Sequence, residues 1–184
     1  MCQPSNMALK ATIFKADLDI SDMDRHYYQS HALTLARHAS ETDQRMMVRL
    51  LAFALHAHEY LTFTDGLGNA EDPALWQKDL TGVIDLWIEI GQPDEKRLLK
   101  ACGRAGQVVV YCYGNSAKIW WGQVESKLER AKNLTVIHLP GANLLSFLAE
   151  RTMSFQIMIQ DGQVFLTAGE QTLEVELVTF RGPR

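Results

Sequence analysis

Long apolar runs are missing from this 184-residue chain. No stretch approaches the ~20 residues that a membrane helix needs, so no membrane partner is expected. Cysteine is scarce: Cys2, Cys102 and Cys112 are an odd number without CxxC spacing, which argues against a disulfide framework and against paired-thiol metal sites. With 12 glycines and 5 prolines, collagen-like and low-complexity classes are excluded. Basic charge is not in excess either. Eighteen Lys and Arg face 22 Asp and Glu, a net charge of −4, so a bulk polyanion binder is not expected. The opening residues lack a basic start followed by an apolar stretch, so no signal peptide is expected and the chain reads as cytoplasmic. GxGxxG, Walker and GxSxG motifs are absent, as are HExxH and paired-Cys settings for the six histidines.

What is present is a chain of one-domain size in which 47% of residues are hydrophobic. Met7 reads as an equally good start, which divides the chain into an extension (1–6), one domain (7–180) and a short tail (181–184). Alternation predicts strands over 9–19 and 27–37, separated by the acidic turn of Asp17, Asp19, Asp22 and Asp24. Ser40 caps a helix running to about Tyr60, with acids in its first turn. Residues 63–80 read as irregular, with at most a short hairpin or helical turn. Strand 83–90, helix 93–105, strand 108–113, helix 116–131 and strand 134–139 then alternate, followed by a helix over 141–150. Asp161-Gly162 predicts a type I′ hairpin between 155–160 and 163–166, and a last strand alternates through Leu173, Val175 and Leu177. The fold class is α+β, with a central mixed sheet flanked by helices and antiparallel strands at both chain ends.

Two carboxylates stand in the most apolar strand, Val83-Ile-Asp85-Leu-Trp-Ile-Glu89-Ile90. Carboxylates there cost several kcal/mol unless paired, hydrogen-bonded or bound to metal. On one reading Asp85 pairs with an arginine and Glu89 reaches solvent at the strand end. On the other they form a Mg²⁺ or Mn²⁺ site with a helix acid such as Glu41. Residues i and i+4 of a strand sit about 13 Å apart, so one ion clamped by both needs a bulge or separate partners. Asp79 is a candidate partner across a hairpin. On the following helix Lys96, Lys100 and Arg104 form one basic line, read either as a solvated face or as charge stabilisation beside the acids.

Met7 to Ala16, Leu33 to His38, Ser40-Glu41-Thr42, Arg45-Met-Met47, Arg49 to Ala52 and, above all, Ile84-Asp-Leu-Trp-Ile-Glu89 before Gly91 and Pro93-Asp94-Glu95 resemble the YaeQ family. Ile119-Trp-Trp121, Arg151-Thr-Met153 and Ile159 to Gly162 extend the likeness. The resemblance implies a restriction-endonuclease-like core of the PD-(D/E)XK class, in which acids hold one or two divalent ions. Carried over, Glu41 takes the helix acid, Asp85 the strand aspartate and Glu89 the second acid. Glu89-Ile90-Gly91 lacks the lysine of the triplet, so Lys100 stands as a migrated ammonium and Gln107 as an auxiliary residue. The catalytic set is then Glu41, Asp85, Glu89 and Lys100, with Mg²⁺ or Mn²⁺ on the three acids. Two functions follow as expectations: a metal-dependent nuclease or phosphodiesterase, or a non-catalytic regulator that binds nucleic acid or a protein partner, with a link to transcription elongation. An acid cluster that binds metal favours the first; a salt-bridged Asp85 with Arg45 or Arg49 nearby favours the second.

Overall fold

The computed structural model describes residues 10–182; the extension, Cys2, Met7 and the last two residues of the tail lie outside them. The elements run β1 (Thr12–Asp22), β2 (Tyr27–Arg37), α1 (Asp43–Leu55), β3 (Leu61–Phe63), β4 (Leu75–Lys78), β5 (Ile84–Ile90), α2 (Glu95–Arg104), β6 (Ala105–Tyr113), α3 (Ala117–Val124), β7 (Leu134–Leu139), α4 (Ala142–Ser146), β8 (Thr152–Gln160), β9 (Gln163–Ala168), β10 (Gln171–Val175) and β11 (Val178–Arg181).

The strands form two mixed sheets, where the sequence suggested one. A five-stranded sheet is ordered β10-β9-β8-β1-β2, and a six-stranded sheet β11-β7-β6-β5-β4-β3. Two long-range events make the division. β8 pairs in parallel with β1 from the far end of the chain. The last predicted strand breaks after Val175, so that β10 stays in the first sheet while β11 crosses to pair with β7. The tail therefore begins inside a strand, at Arg181.

Alternation along β1 buries Phe14, Ala16, Leu18 and Ile20 and leaves the other face to solvent. The buried face packs on α1. Every residue of α1 from Met46 to Ala54 is buried, because the helix lies between the two sheets and has no solvent side. Leu86, Ile88 and Ile90 of β5 close that core from below, while Ile84 and Trp87 face a second core under α2 and α3 with Leu98, Trp120 and Trp121. Covered on both faces, β5 reads as a nearly continuous apolar run. At Asp161-Gly162 both φ angles are positive (52° and 74°), the I′ geometry that the pair predicts. Among the described residues no helix is long and apolar enough to cross a membrane.

Candidate functional site

Thr42, not Ser40, caps α1: its side chain accepts the Arg45 N–H at 3.1 Å. Glu41 thus stands just before the cap rather than on the helix. From there its buried carboxylate is gripped by two arginines one and two turns along α1. Arg45 Nη1 donates to Oε1 at 2.7 Å; Arg49 Nε donates to Oε1 at 3.1 Å and its Nη2 to Oε2 at 2.9 Å. Burial pulls the Arg49 guanidinium down from its ordinary value, and the Glu41 carboxylate pushes it back up.

In β5 the two acids exchange the roles that the simplest pairing gives them. Ile84 pairs with Lys78 and Leu86 with Gln77, so β5 carries one extra residue there, and that residue is Asp85. The bulge turns Ile84 and Trp87 into the same core and leaves Asp85 exposed, with no ion-pair partner among the described residues. Glu89 is the buried one. Its Oε1 accepts from Trp87 Nε1 at 2.7 Å and from Arg97 Nε at 2.8 Å. Burial pushes the Glu89 carboxyl above its ordinary range, against those two donors.

Glu89 and Arg97 line a cavity of about 340 Å³ at the C-terminal end of β5, together with Arg45, Asn69, Asp72 and Gln92. A second cavity of about 290 Å³ shares Arg97 and Ala70 with it and continues past Lys96 and Lys100. The first is a groove at the carboxyl end of β5, where open α/β sheets ordinarily take ligands, and the second adjoins it across Arg97 and Ala70. Arg97 holds the groove's outer wall by donating to the carbonyls of Ala70 and, at 2.7 Å, Asp72.

The remaining candidates lie elsewhere or are occupied. Lys100 pairs with exposed Glu71 on the groove rim. Asp79 organises the β4–β5 turn, accepting from the Thr81 N–H at 2.7 Å and the Val83 N–H at 3.0 Å. Gln107 is exposed on β6 opposite Leu86, at the Asp85 end of β5. Arg97, Asp72, Asn69 and Gln92 were not singled out by sequence. Arg97 falls outside the Lys96–Lys100–Arg104 line, and it is the one cation of α2 that hydrogen-bonds to Glu89. Its one sequence signal is its place three residues after the Asp94 cap.

A divalent ion needs carboxylate oxygens that are open and converge on one point. Both Glu41 oxygens are held by arginine, Glu89 is paired with Arg97, and Asp85 stands at the other end of β5. Among the described residues no three His, Cys, Asp or Glu side chains are grouped to hold a metal. Glu41, Asp85 and Glu89 do not fit the ion as they stand.

The comparisons with known proteins agree with one another. The family model described as YaeQ protein matches residues 7–177. The uncharacterized protein YaeQ of Salmonella typhi and that of Escherichia coli (strain K12) are each 46% identical over 180 residues, covering 96% of this chain and 99% of theirs. Among solved structures, the YaeQ protein from Xanthomonas axonopodis pv. citri is similar with a TM-score of 0.90 and 46% identity, covering 94% of this chain and 99% of its own. That from Pseudomonas syringae has a TM-score of 0.89 and 37% identity, with 94% and 97% covered. The chain belongs to the YaeQ family.

Proposed function

We propose that the groove grips the sugar–phosphate backbone of a nucleic acid without cutting it, and that the chain is a non-catalytic regulatory protein on a restriction-endonuclease-like core. One observation carries this reading. The Glu41 cluster sets two guanidiniums, Arg45 and Arg49, against a single carboxylate, and the surplus charge belongs to Arg45, which opens onto the groove. Arg45 uses only Nη1 on Glu41, so its remaining N–H groups are available to an anion. Lys96 adds a cation to the adjoining cavity, beside Asp94 and the Lys100–Glu71 pair. Of the acids that a nuclease would present to metal, Glu41 and Glu89 are spent on arginines and Asp85 stands at the other end of β5, which supports binding over hydrolysis.

Fluorescence anisotropy with labelled single- and double-stranded oligonucleotides tests the proposal. Binding should weaken between about 50 and 200 mM salt, and Arg45→Gln should weaken it across sequences and lower the salt slope by about one. Absence of binding overturns the proposal. So does Mn²⁺-dependent cleavage lost in Glu89→Gln, which would return the phosphodiesterase reading.

A further inference from the structure

β2 forms one edge of the five-stranded sheet, and its whole length pairs with β1 in unbroken register from Tyr27 to Arg37. Its other side is open. The carbonyl of Ala36 faces away from β1, since it accepts from Arg49 Nη2 at 3.1 Å. Backbone groups of alternate residues share a direction, so those of Thr34, Ala32, Ser30 and Tyr28 face outward too. Among the described residues these four have no backbone partner on that side, and all four are exposed.

Edge strands in native proteins are ordinarily blunted by shortness, a bulge, a proline or a charge. The window Tyr28-Gln-Ser-His-Ala-Leu-Thr34 has none of these. We infer that this edge is an interface on which a second copy of the chain adds its own β2 in antiparallel register, joining the two five-stranded sheets.

The window is complementary to itself. A twofold axis at His31 sets Tyr28 against Thr34 of the other copy and Ser30 against Ala32. All four residues of each strand then exchange their outward N–H and C=O groups. Tyr28, 58% exposed in the single chain, gains a β-branched neighbour, an arrangement that favours pairing, and the axis generates this contact twice. With no Lys, Arg, Asp or Glu in the window, no like charges meet across the axis. No residue of the window lines the groove, and Arg49 reaches this edge only at Ala36, outside the window, so the inference stands independently of the proposed function.

Sedimentation equilibrium of the full chain tests it. The wild type should rise with concentration from 20.8 kDa toward twice that mass. Ala32→Lys supplies the missing edge charge, and Ala32→Pro removes one outward N–H, a group that makes no bond to β1. Both variants should remain monomeric, with Ala32→Lys keeping the wild-type melting temperature and circular dichroism. A wild type that stays monomeric at hundreds of micromolar overturns the inference. A dimer that persists undiminished in a folded Ala32→Lys places the interface elsewhere and overturns it equally.

Discussion

Arg97 reaches from α2 across to β5 and closes the buried Glu89 carboxylate at 2.8 Å, while its other two nitrogens hold the backbone of Ala70 and Asp72. One side chain therefore couples the strand that carries the acid to the irregular segment that walls the groove. Arg97→Ala should cost about 2–3 kcal/mol, since it strips the charged partner from a buried carboxylate. The 64–74 segment should also be cut faster by chymotrypsin, whose sites there are Phe63 and Leu67. Arg97→Lys should not restore either property, because an ammonium cannot span three acceptors as a planar guanidinium does. Thermal unfolding beside limited proteolysis reads both effects.

Arg49 and Glu41 are both almost fully buried, at 3% and 2% side-chain exposure. Arg49→Met should cost about 3–5 kcal/mol in urea unfolding, most of it the penalty of a buried acid left with Arg45 alone. Adding Glu41→Gln to Arg49→Met should recover much of the loss, since a neutral amide tolerates the site. A single variant within about 1 kcal/mol of wild type would show that Glu41 reaches water when its partner goes.

Much of the fold was legible because its signals are local. The β1 alternation and the Asp161-Gly162 turn each depend on residues a few positions apart, whereas the α1 cap falls on Thr42, two residues past the Ser40 that the sequence favours. The two-sheet division was not legible, because it follows from β1 meeting β8 and from a break at Glu176-Leu177, neither of which leaves a periodic trace. At the site, sequence marked Asp85 and Glu89 as anomalous and named Glu41 as a supporting acid. It could not show which β5 acid is buried, since a one-residue bulge at Asp85 decides that and no spacing announces it. Arg97 escaped notice among four cations of one helix, because only tertiary packing separates it from its exposed neighbours.

Asp24 shows the same limit from the other side. The sequence shows it only as part of an acidic turn, yet its carboxylate accepts the Asp161 N–H at 2.8 Å and the Gly162 N–H at 2.9 Å. It ties the β1–β2 turn to the β8–β9 hairpin and satisfies a turn whose donors face out of the ladder. Asp24→Ala should cost about 1 kcal/mol, and hydrogen exchange should quicken at Asp161 and Gly162 before the rest of the hairpin. Uniform protection in the variant would mean that the hairpin holds its turn unaided.

His56, at the end of α1, shares a 2.7 Å hydrogen bond with the Tyr111 hydroxyl. Burial, seconded by the Arg25 guanidinium, depresses its pKa to about 4 from the usual 6.5. The sign follows from which state protonates first. As pH falls below about 6.5 the unfolded chain takes up a proton on His56 that the folded chain refuses, so acid favours unfolding through this group. The loss starts near pH 6.5, grows down to about pH 4, and levels off once the folded imidazole is protonated too. At pH 4 it amounts to on the order of 3 kcal/mol. Denaturant melts from pH 7 to pH 4 should therefore fall more steeply in wild type than in His56→Gln, whose amide still reaches Tyr111 but does not titrate. Parallel stability curves for the two proteins would mean that His56 protonates within the folded state, and the Tyr111 contact would then have to open in acid without loss of the fold.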